Sequence, residues 1–329
     1  MSFSTFDKAL MLLVRAERPL SQVWLREFSD LSSQQVRRLL EVWPQIPQTR
    51  KYAFLDALRA LFDEDTLVSF EGIGRALLTD ADAGVRSRAL RLLQESLDAH
   101  LVPQLLEMLM HDGDGSVRAE AADLLGAFVY EGEVDKLAAP VLSRIEEALI
   151  YAAEHDAEAQ VRQIALTSLG YSSRPEVEGL IRRAYEQEDP EWIASALTAM
   201  GRSANPETWQ DYVLPMLAHE HTAVRRSAVQ AAGELSLREA RPMLIQMLRG
   251  EPEEEVYKSA IWALSQIGGQ NVRLYLETLL EGADEKMARW IEDALDNLDF
   301  TEDLSSFDLF RFDEDEELPF EEDEFPLDE

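Results

Sequence analysis

The sequence contains no cysteine, and histidine is scarce, with five residues in 329. The first absence excludes disulfides, thiolate catalysis and cysteine-ligated metal sites. The second leaves few imidazole ligands, and the pair His219 and His221 has a spacing that turns the two rings away from each other on a helix. Nucleophile-elbow, phosphate-loop and His-Glu-x-x-His patterns are missing too. We therefore expect no catalytic residue, no cofactor and no metal, and a chain that is not an enzyme.

Long apolar runs are also missing. The stretch from Ala9 to Val14 is too short for a signal peptide or a membrane span, and no later window approaches 18 uncharged apolar residues. The sequence therefore predicts a cytoplasmic protein with no membrane contact.

Positive charge is in short supply. The chain has 31 Lys and Arg against 64 Asp and Glu, which gives a net charge of −33. A negative field of this size repels phosphate backbones and anionic membrane surfaces. The balance argues against nucleic acid and favours a protein partner with a basic surface.

What the sequence does have is an internal repeat. The stretches "DADAGVRSRALRLLQ" from Asp80, "DGDGSVRAEAADLLGAF" from Asp112 and "DAEAQVRQIALTSLG" from Asp156 share one pattern, and weaker copies follow. Their anchor residues recur at intervals of 31 or 32, with one interval of 44. The anchors are Val85, Val117, Val161, Trp192, Val224, Val256 and Met287. A fixed period near 32 predicts a stack of helical pairs, each burying the apolar face of its neighbour.

Each repeat carries further positional signals. The first six anchors are followed four residues later by alanine, which allows neighbouring helices to approach closely. Asp82, Asp114 and Asp189 are predicted helix N-caps. Glycines nine residues after an anchor are predicted to lie near helix ends; they are Gly126, Gly170, Gly201 and Gly233. Arginines that directly follow an anchor are predicted to pair with an acidic residue of a neighbouring turn; they are Arg86, Arg118, Arg162 and Arg225.

The motif Asp-x-x-Val-Arg-x-x-Ala is intact at Asp82–Ala89 and Asp114–Ala121 and nearly so at Glu158–Ala165. In this motif the chain resembles the HEAT-repeat family, in the short bacterial type also seen in phycobilisome lyases. The resemblance implies an all-α, right-handed α-solenoid of HEAT-like helical pairs, and it carries no activity with it.

Three regions are expected along the chain. Residues 1–69 are helical but off-period and are interpreted as an N-terminal helical capping bundle. Residues 70–298 form the repeat solenoid. Residues 299–329 form an acidic tail that its high charge and lack of helical period predict to be disordered.

Surface residues carry the functional hypothesis. The second helices of HEAT units commonly line the concave face, and positions two, three and six after each anchor are predicted to point outward there. Over the last three repeats these positions supply a basic and aromatic row. Its members are Arg226, Lys258, Trp262, Arg289 and Trp290.

The tail adds aromatic residues to acidic ones, and Phe307, Phe310 and Phe312 are candidate anchors for a groove. The leading hypothesis is a non-catalytic interaction scaffold or adaptor that binds a protein through the concave face, the tail or both. The alternative is an enzyme or enzyme subunit sharing the fold, either a phycobilin-lyase-like chromophore carrier or a deoxyhypusine-hydroxylase-like oxidoreductase. The second type uses several His-Glu pairs on a di-iron centre, whereas only His219-Glu220 forms such a pair here.

Overall fold

The computed structural model describes residues 4–15 and 20–306, leaving out the side chains of residue 270 and residues 301–306. This part of the chain contains eighteen α-helices and no strand. The first nine helices are α1 (Thr5–Arg15), α2 (Gln22–Leu25), α3 (Ser33–Val42), α4 (Gln48–Glu64), α5 (Glu71–Leu77), α6 (Ala83–Arg91), α7 (Val102–His111), α8 (Gly115–Glu133) and α9 (Ala139–His155). The remainder are α10 (Ala159–Ser168), α11 (Pro175–Tyr185), α12 (Pro190–Arg202), α13 (Pro206–Met216), α14 (Thr222–Glu234), α15 (Arg241–Met247), α16 (Glu254–Ile267), α17 (Gln270–Glu281) and α18 (Glu285–Ser306).

Helices α5 to α18 form seven consecutive pairs, repeats 1 to 7, each with a first and a second helix. Within a repeat the two helices pack on each other, and the second helices α6, α8, α10, α12, α14, α16 and α18 pack side by side in chain order. This is the α-solenoid of HEAT-like pairs that the 31–32 residue period predicts. The single interval of 44 falls where α8 and α9 are long, with 19 and 17 residues.

The core follows the predicted positions closely. Each valine anchor is fully buried, and so is the residue four positions after every anchor, Ile291 of the last repeat included. Only the anchors Trp192 and Met287 are half-buried. Asp82, Asp114 and Asp189 each accept a backbone N–H at the start of a second helix and are confirmed as N-caps.

The glycines nine residues after an anchor lie near helix ends in three of four repeats, as predicted. Gly201 and Gly233 each lie one residue before the end of their helix, and Gly170 follows the end of α10, whereas Gly126 lies well inside α8. A Cβ on Gly201 would stand 2.9 Å from the Cα of Ala231, and one on Gly233 would stand 2.9 Å from the Cα of Ala263. These positions therefore also set how closely adjacent second helices approach, a role that the helix-end prediction did not include.

The arginines after the anchors form an arginine ladder, the set Arg86, Arg118, Arg162 and Arg225. Arg86 donates from Nε and Nη2 to both carboxylate oxygens of Asp112 at 2.8 and 2.7 Å. Arg118 binds Asp156 in the same way at 2.7 and 2.9 Å, and Arg225 binds Glu251 at 3.0 and 2.8 Å. Each of these carboxylates lies five residues before the anchor of the following repeat, which is Val117, Val161 or Val256. We call each arginine of the ladder, with the carboxylate that it binds, a rung. Three rungs thus tie successive repeats together as predicted.

The predicted outward positions are partly wrong. Ser87, Ala119 and Ser227 lie two or three residues after an anchor and are buried, because the neighbouring second helix covers them. Arg91 is half-exposed, but its Nε donates to Glu120 at 2.6 Å across the repeat boundary. Burial raises the pKa of Glu120, and Arg91 counteracts this rise. Arg91 therefore stabilises the ionised form of Glu120 in the next repeat.

The N-terminal region extends the stack. Helix α3 packs on α5 and α4 packs on α6, so α4 continues the row of second helices. Ahead of this pair, α1 and α2 close the end through an aromatic cluster in which Phe28 meets Phe6 and Phe54 edge to face. The off-period region therefore combines a cap with two helices, α3 and α4, that pack on the first repeat.

The other end of the chain differs from the prediction in one respect. Helix α18 continues to Ser306 and so includes the first eight residues of the predicted tail, 299–306. Phe307, Phe310 and Phe312, with the rest of the predicted disordered segment, lie outside the described residues.

Candidate functional site

A cleft of about 470 Å³ opens on the row of second helices, across α12, α14 and α16. We call it the second-helix cleft. Its lining residues are Thr198, Arg202, Gln230, Glu234, Glu255, Lys258, Ser259, Trp262 and Gln266. Six of them occupy two repeating positions, six and ten residues after an anchor. Residues four apart lie on the same side of a helix, so each of the three helices presents one such pair to the cleft.

Two glycines lie next to residues that line the cleft. Gly201 and Gly233 lie beneath the residues ten after the next anchor, Glu234 and Gln266, whose polar ends come against the glycine backbone. No side chain larger than hydrogen fits there without moving the neighbouring helix. These two glycines thus lie directly beside two residues of the cleft lining, Glu234 and Gln266.

Trp262 is the largest exposed apolar group in the cleft. Its side chain lies on α16 and the residue is 45% exposed, which is unusual for tryptophan. Beside it, Lys258 reaches toward Trp290 of the next repeat, with Nζ 5.6 Å from the ring centroid. Lys286 approaches the same ring at 5.2 Å, so two ammonium groups contact Trp290.

The charges in the cleft are mixed. Two contacts hold Arg202 in place. Its Nη1 donates to the carbonyl of Thr167 at 2.9 Å, and its guanidinium lies 5.2 Å from the ring of Tyr171. Glu234 faces the same space, and loss of hydration raises its pKa, against the opposing effect of Arg202. With Glu255 and Lys258, the lining carries two acidic and two basic groups.

The five solenoid residues predicted from the sequence are only partly brought together. Lys258 and Trp262 line the cleft, and Trp290 is joined to Lys258. Arg226 is exposed on α14 outside the lining, and no ion-pair partner for it lies in the described residues. Arg289 is exposed and pairs with Glu285 on its own helix at 2.6 Å.

In place of the expected basic and aromatic row, the structure therefore shows a cleft that holds Trp262 and both signs of charge. The sequence reasoning missed Arg202, Glu234 and Gln266. A signal was available, because these three residues recur at intervals of 32 like the anchors themselves.

Within residues 4–15 and 20–306, no three His, Asp or Glu side chains are placed to hold a metal ion. His219 instead accepts the backbone N–H of His221 in the turn before α14. Within the same residues, no helix combines the length and the apolar run needed to cross a membrane.

Comparison with known proteins identifies the repeats. The family model of HEAT repeats matches residues 70–144 and 211–296, which confirms the resemblance seen in the sequence. No curated protein matches the chain.

Several solved structures are similar. The complex of CpcE and CpcF of phycocyanin lyase from Nostoc sp. PCC7120 has a TM-score of 0.48 and 18% identity, covering 69% of this chain and 94% of that one. The protein YibA of E. coli has a TM-score of 0.43 and 17% identity, covering 87% and 99%. Importin beta has a TM-score of 0.45 and 12% identity, covering 89% of this chain and 48% of its own. At these values the likenesses bear on neither activity nor partner.

Proposed function

We propose that this HEAT-repeat protein is a non-catalytic scaffold that binds a basic segment of another protein in the second-helix cleft. The observation that carries the proposal is Trp262, a tryptophan left 45% exposed in a cleft whose neighbours are charged. Tryptophan in a cleft with polar surroundings is typical of the residues that dominate binding energy at protein interfaces.

Charge supports a basic partner. The body of the protein is strongly acidic, so cationic segments are attracted over long distances and anionic ones are repelled. Inside the cleft, Glu234 has lost part of its hydration, as its raised pKa reflects. An incoming Lys or Arg would compensate this loss, while Glu255 offers a second acceptor nearby.

The cleft also has a size suited to side chains rather than to a whole domain. A volume of about 470 Å³ lies in the range of pockets that enclose a few side chains. The wide row of second helices on either side provides the remaining contact area. We therefore expect an extended or helical segment that inserts one or two side chains beside Trp262.

Site-specific cross-linking tests the proposal. A photoreactive amino acid at Gln230 in the cleft is expected to capture a partner polypeptide in a lysate of the native host, and mass spectrometry of the cross-linked peptide should show Lys or Arg at the site. Trp262→Ala is expected to reduce capture about tenfold or more, in line with loss of a large anchor. Leu274→Ala is the matched control, since Leu274 is an exposed apolar residue, 64% exposed, outside the cleft.

Capture that is unchanged by Trp262→Ala, or cross-linked peptides without basic residues, would contradict the proposal. An absorption spectrum and metal analysis of the purified protein separate the scaffold from an enzyme sharing the fold. Bound pigment or stoichiometric iron would favour the latter.

A further inference from the structure

One rung of the arginine ladder differs from the others. Arg162 holds the same pose, because its Nη1 donates to the carbonyls of Asp156 and Ala157 at 2.7 and 3.1 Å, as Nη1 of Arg225 does to His219 and Glu220. Its Nε and Nη2, however, meet no carboxylate among the described residues. The position five residues before the next anchor, which supplies Asp112, Asp156 and Glu251 to the other rungs, is Gln187 here.

The open edge of Arg162 faces a cleft of about 410 Å³ between α9, α10, α11 and α12, which we call the rung cleft. Trp192 lies beside the guanidinium, with its ring centroid 5.8 Å from Cζ. Leu166 and Leu180 add apolar surface. Arg183 supplies a second guanidinium, which Glu154 holds at 2.9 Å. The site therefore combines a bidentate donor edge with an apolar wall.

We propose that the rung cleft binds a carboxylate from the chain's own C-terminal segment, residues 320–329, "FEEDEFPLDE". A planar donor edge of this kind matches a carboxylate in two parallel hydrogen bonds, as the three complete rungs show. The segment places Asp and Glu next to Phe325 and Leu327, so one carboxylate can meet Arg162 while an apolar side chain packs on Leu166, Leu180 and Trp192.

The segment is long enough to arrive there. Three repeats separate α18 from the rung cleft, or about 30 Å at the usual spacing between packed helices. Arg162 lies at the edge of the stack where the second helices begin. Helix α18 has 22 residues and is about 33 Å long, so its C-terminal end lies about 33 Å from that edge. An extended chain of about 14 residues covers the resulting distance, about 45 Å, and residue 320 is the fourteenth after Ser306.

Tethering favours this occupant over a free acidic peptide. The acidic body repels anionic chains in solution. A segment of the same chain is present at a high effective concentration, which offsets this repulsion for a short local contact. The rung cleft shares helix α12 with the second-helix cleft but no lining residue, so this proposal does not rest on the proposed function.

Spin labelling of the full chain tests the proposal, and the absence of native cysteine makes the labelling specific. Nitroxides on Glu329→Cys and Glu188→Cys report the distance between the tail and the edge of the rung cleft by pulsed electron resonance. The wild-type background is expected to show a distinct short-distance population. Gln187→Glu supplies the carboxylate that the other rungs have, so its side chain should pair with Arg162 and occupy the donor edge.

Gln187→Glu is therefore expected to reduce the short-distance population about tenfold or more, because the paired hydrogen bonds to the tail are lost. Gln187→Ala is the matched control at the same position, and it leaves Arg162 open and the population in place. Arg162→Gln should abolish the population.

A wild-type distribution without the short distance overturns the proposal, and so does a short distance that persists in Gln187→Glu. Tenfold dilution of the doubly labelled chain with unlabelled protein identifies the source of the tail. A short distance that survives dilution shows binding within one chain, whereas its loss assigns the occupant to a second copy and overturns the assignment made here.

Discussion

At the scale of single residues, the arginine ladder holds the repeats together through side chains that are only slightly exposed. Replacing Arg118 by Gln leaves Asp156 with an unmatched charge at a site where water reaches it poorly. We expect Arg118→Gln to lower the free energy of unfolding by about 2 kcal/mol, the range for hydrogen bonds to charged groups. Urea unfolding followed by circular dichroism measures the change. Arg226→Gln, at an exposed arginine, should change the free energy by less than about 0.5 kcal/mol. Equal losses in the two variants would show that the rung is not stabilising.

The same rung predicts a pH dependence. Burial acts to raise the pKa of Asp156, but hydrogen bonds from Arg118 and from the N–H of Glu158 outweigh it, so the pKa lies below its usual range. A carboxyl whose pKa is lowered on folding adds stability that is present above its unfolded pKa, about 3.9, and is lost as the pH falls through the folded pKa. Unfolding at a series of pH values between neutral and about 2 should therefore show a shallower acid-side loss for Asp156→Asn than for the wild type. Parallel curves would contradict this assignment.

Glu234 gives the opposite sign. Burial raises its pKa, so its ionised form costs stability as the pH rises above the unfolded value of about 4.3. We expect Glu234→Gln to be as stable as the wild type or more so at neutral pH, while capture of a basic partner at the second-helix cleft weakens. Thermal melts and cross-linking yield of the same variant measure both effects. A variant that loses stability and keeps full capture would exclude a binding role for this carboxylate.

At the scale of helices, the second helices depend on small residues where they touch. A Cβ at Gly233 meets the backbone of α16, which cannot move aside as a flexible side chain does. Alanine gains about 1 kcal/mol of helix propensity over glycine, but overpacking of this kind costs about 1 to 3 kcal/mol. We expect Gly233→Ala to be destabilising on balance, as measured by denaturant unfolding. Gly250→Ala is the control, since nothing lies within 4 Å of that Cβ, and a neutral Gly233→Ala would show that adjacent second helices can separate at little cost.

A charged residue at the same interface is a harsher test. Ala228 lies four residues after its anchor and is fully buried. Ala228→Arg combines overpacking with a buried charge, and we expect a loss of several kcal/mol or failure to fold. The loss should far exceed that of Arg226→Gln, two residues away on the exposed side of the same helix. Comparable thermal midpoints would mean that α14 is turned differently in its repeat.

The element boundaries show what the sequence could and could not predict. Caps, anchors and the alanine positions follow from a local motif, so the second helices were placed correctly. The pairing of α3 and α4 with the stack was missed because Ala53, 32 residues before Val85, lacks the Val-Arg signature. The close helix contacts at Gly201 and Gly233 were missed because the backbone that requires glycine there comes from the next repeat, about 30 residues away in sequence. Lys258 and Trp262 were found from the spacing, whereas the acidic part of the cleft depends on how three helices meet.

At the scale of the whole molecule, net charge opposes compactness. A charge of −33 repels itself, and salt screens this repulsion over about 10 Å at 0.1 M. We expect the thermal midpoint at neutral pH to rise by a few degrees between low salt and about 0.3 M NaCl, with circular dichroism as the readout. Near the isoelectric point of about 4.4 the repulsion is absent, so added salt should no longer raise the thermal midpoint. A midpoint that falls with salt at neutral pH would show that the screened ion pairs outweigh the repulsion.

The incomplete rung at Arg162 and Gln187 has a mechanical consequence for the molecule as a whole. When a solenoid is pulled along its stacking axis, the load passes from repeat to repeat in series, and the joint with the fewest cross-links stretches first. The bidentate arginine–carboxylate pair joins repeats 1 and 2, repeats 2 and 3, and repeats 5 and 6. In the described chain it is missing between repeats 3 and 4, where the single ion pair of Arg183 with Glu154 remains, and between repeats 4 and 5, where Ile193 stands in place of the arginine. We therefore expect the stretch from repeat 3 to repeat 5 to lengthen more easily under force than repeats 1 to 3, which carry two bidentate pairs.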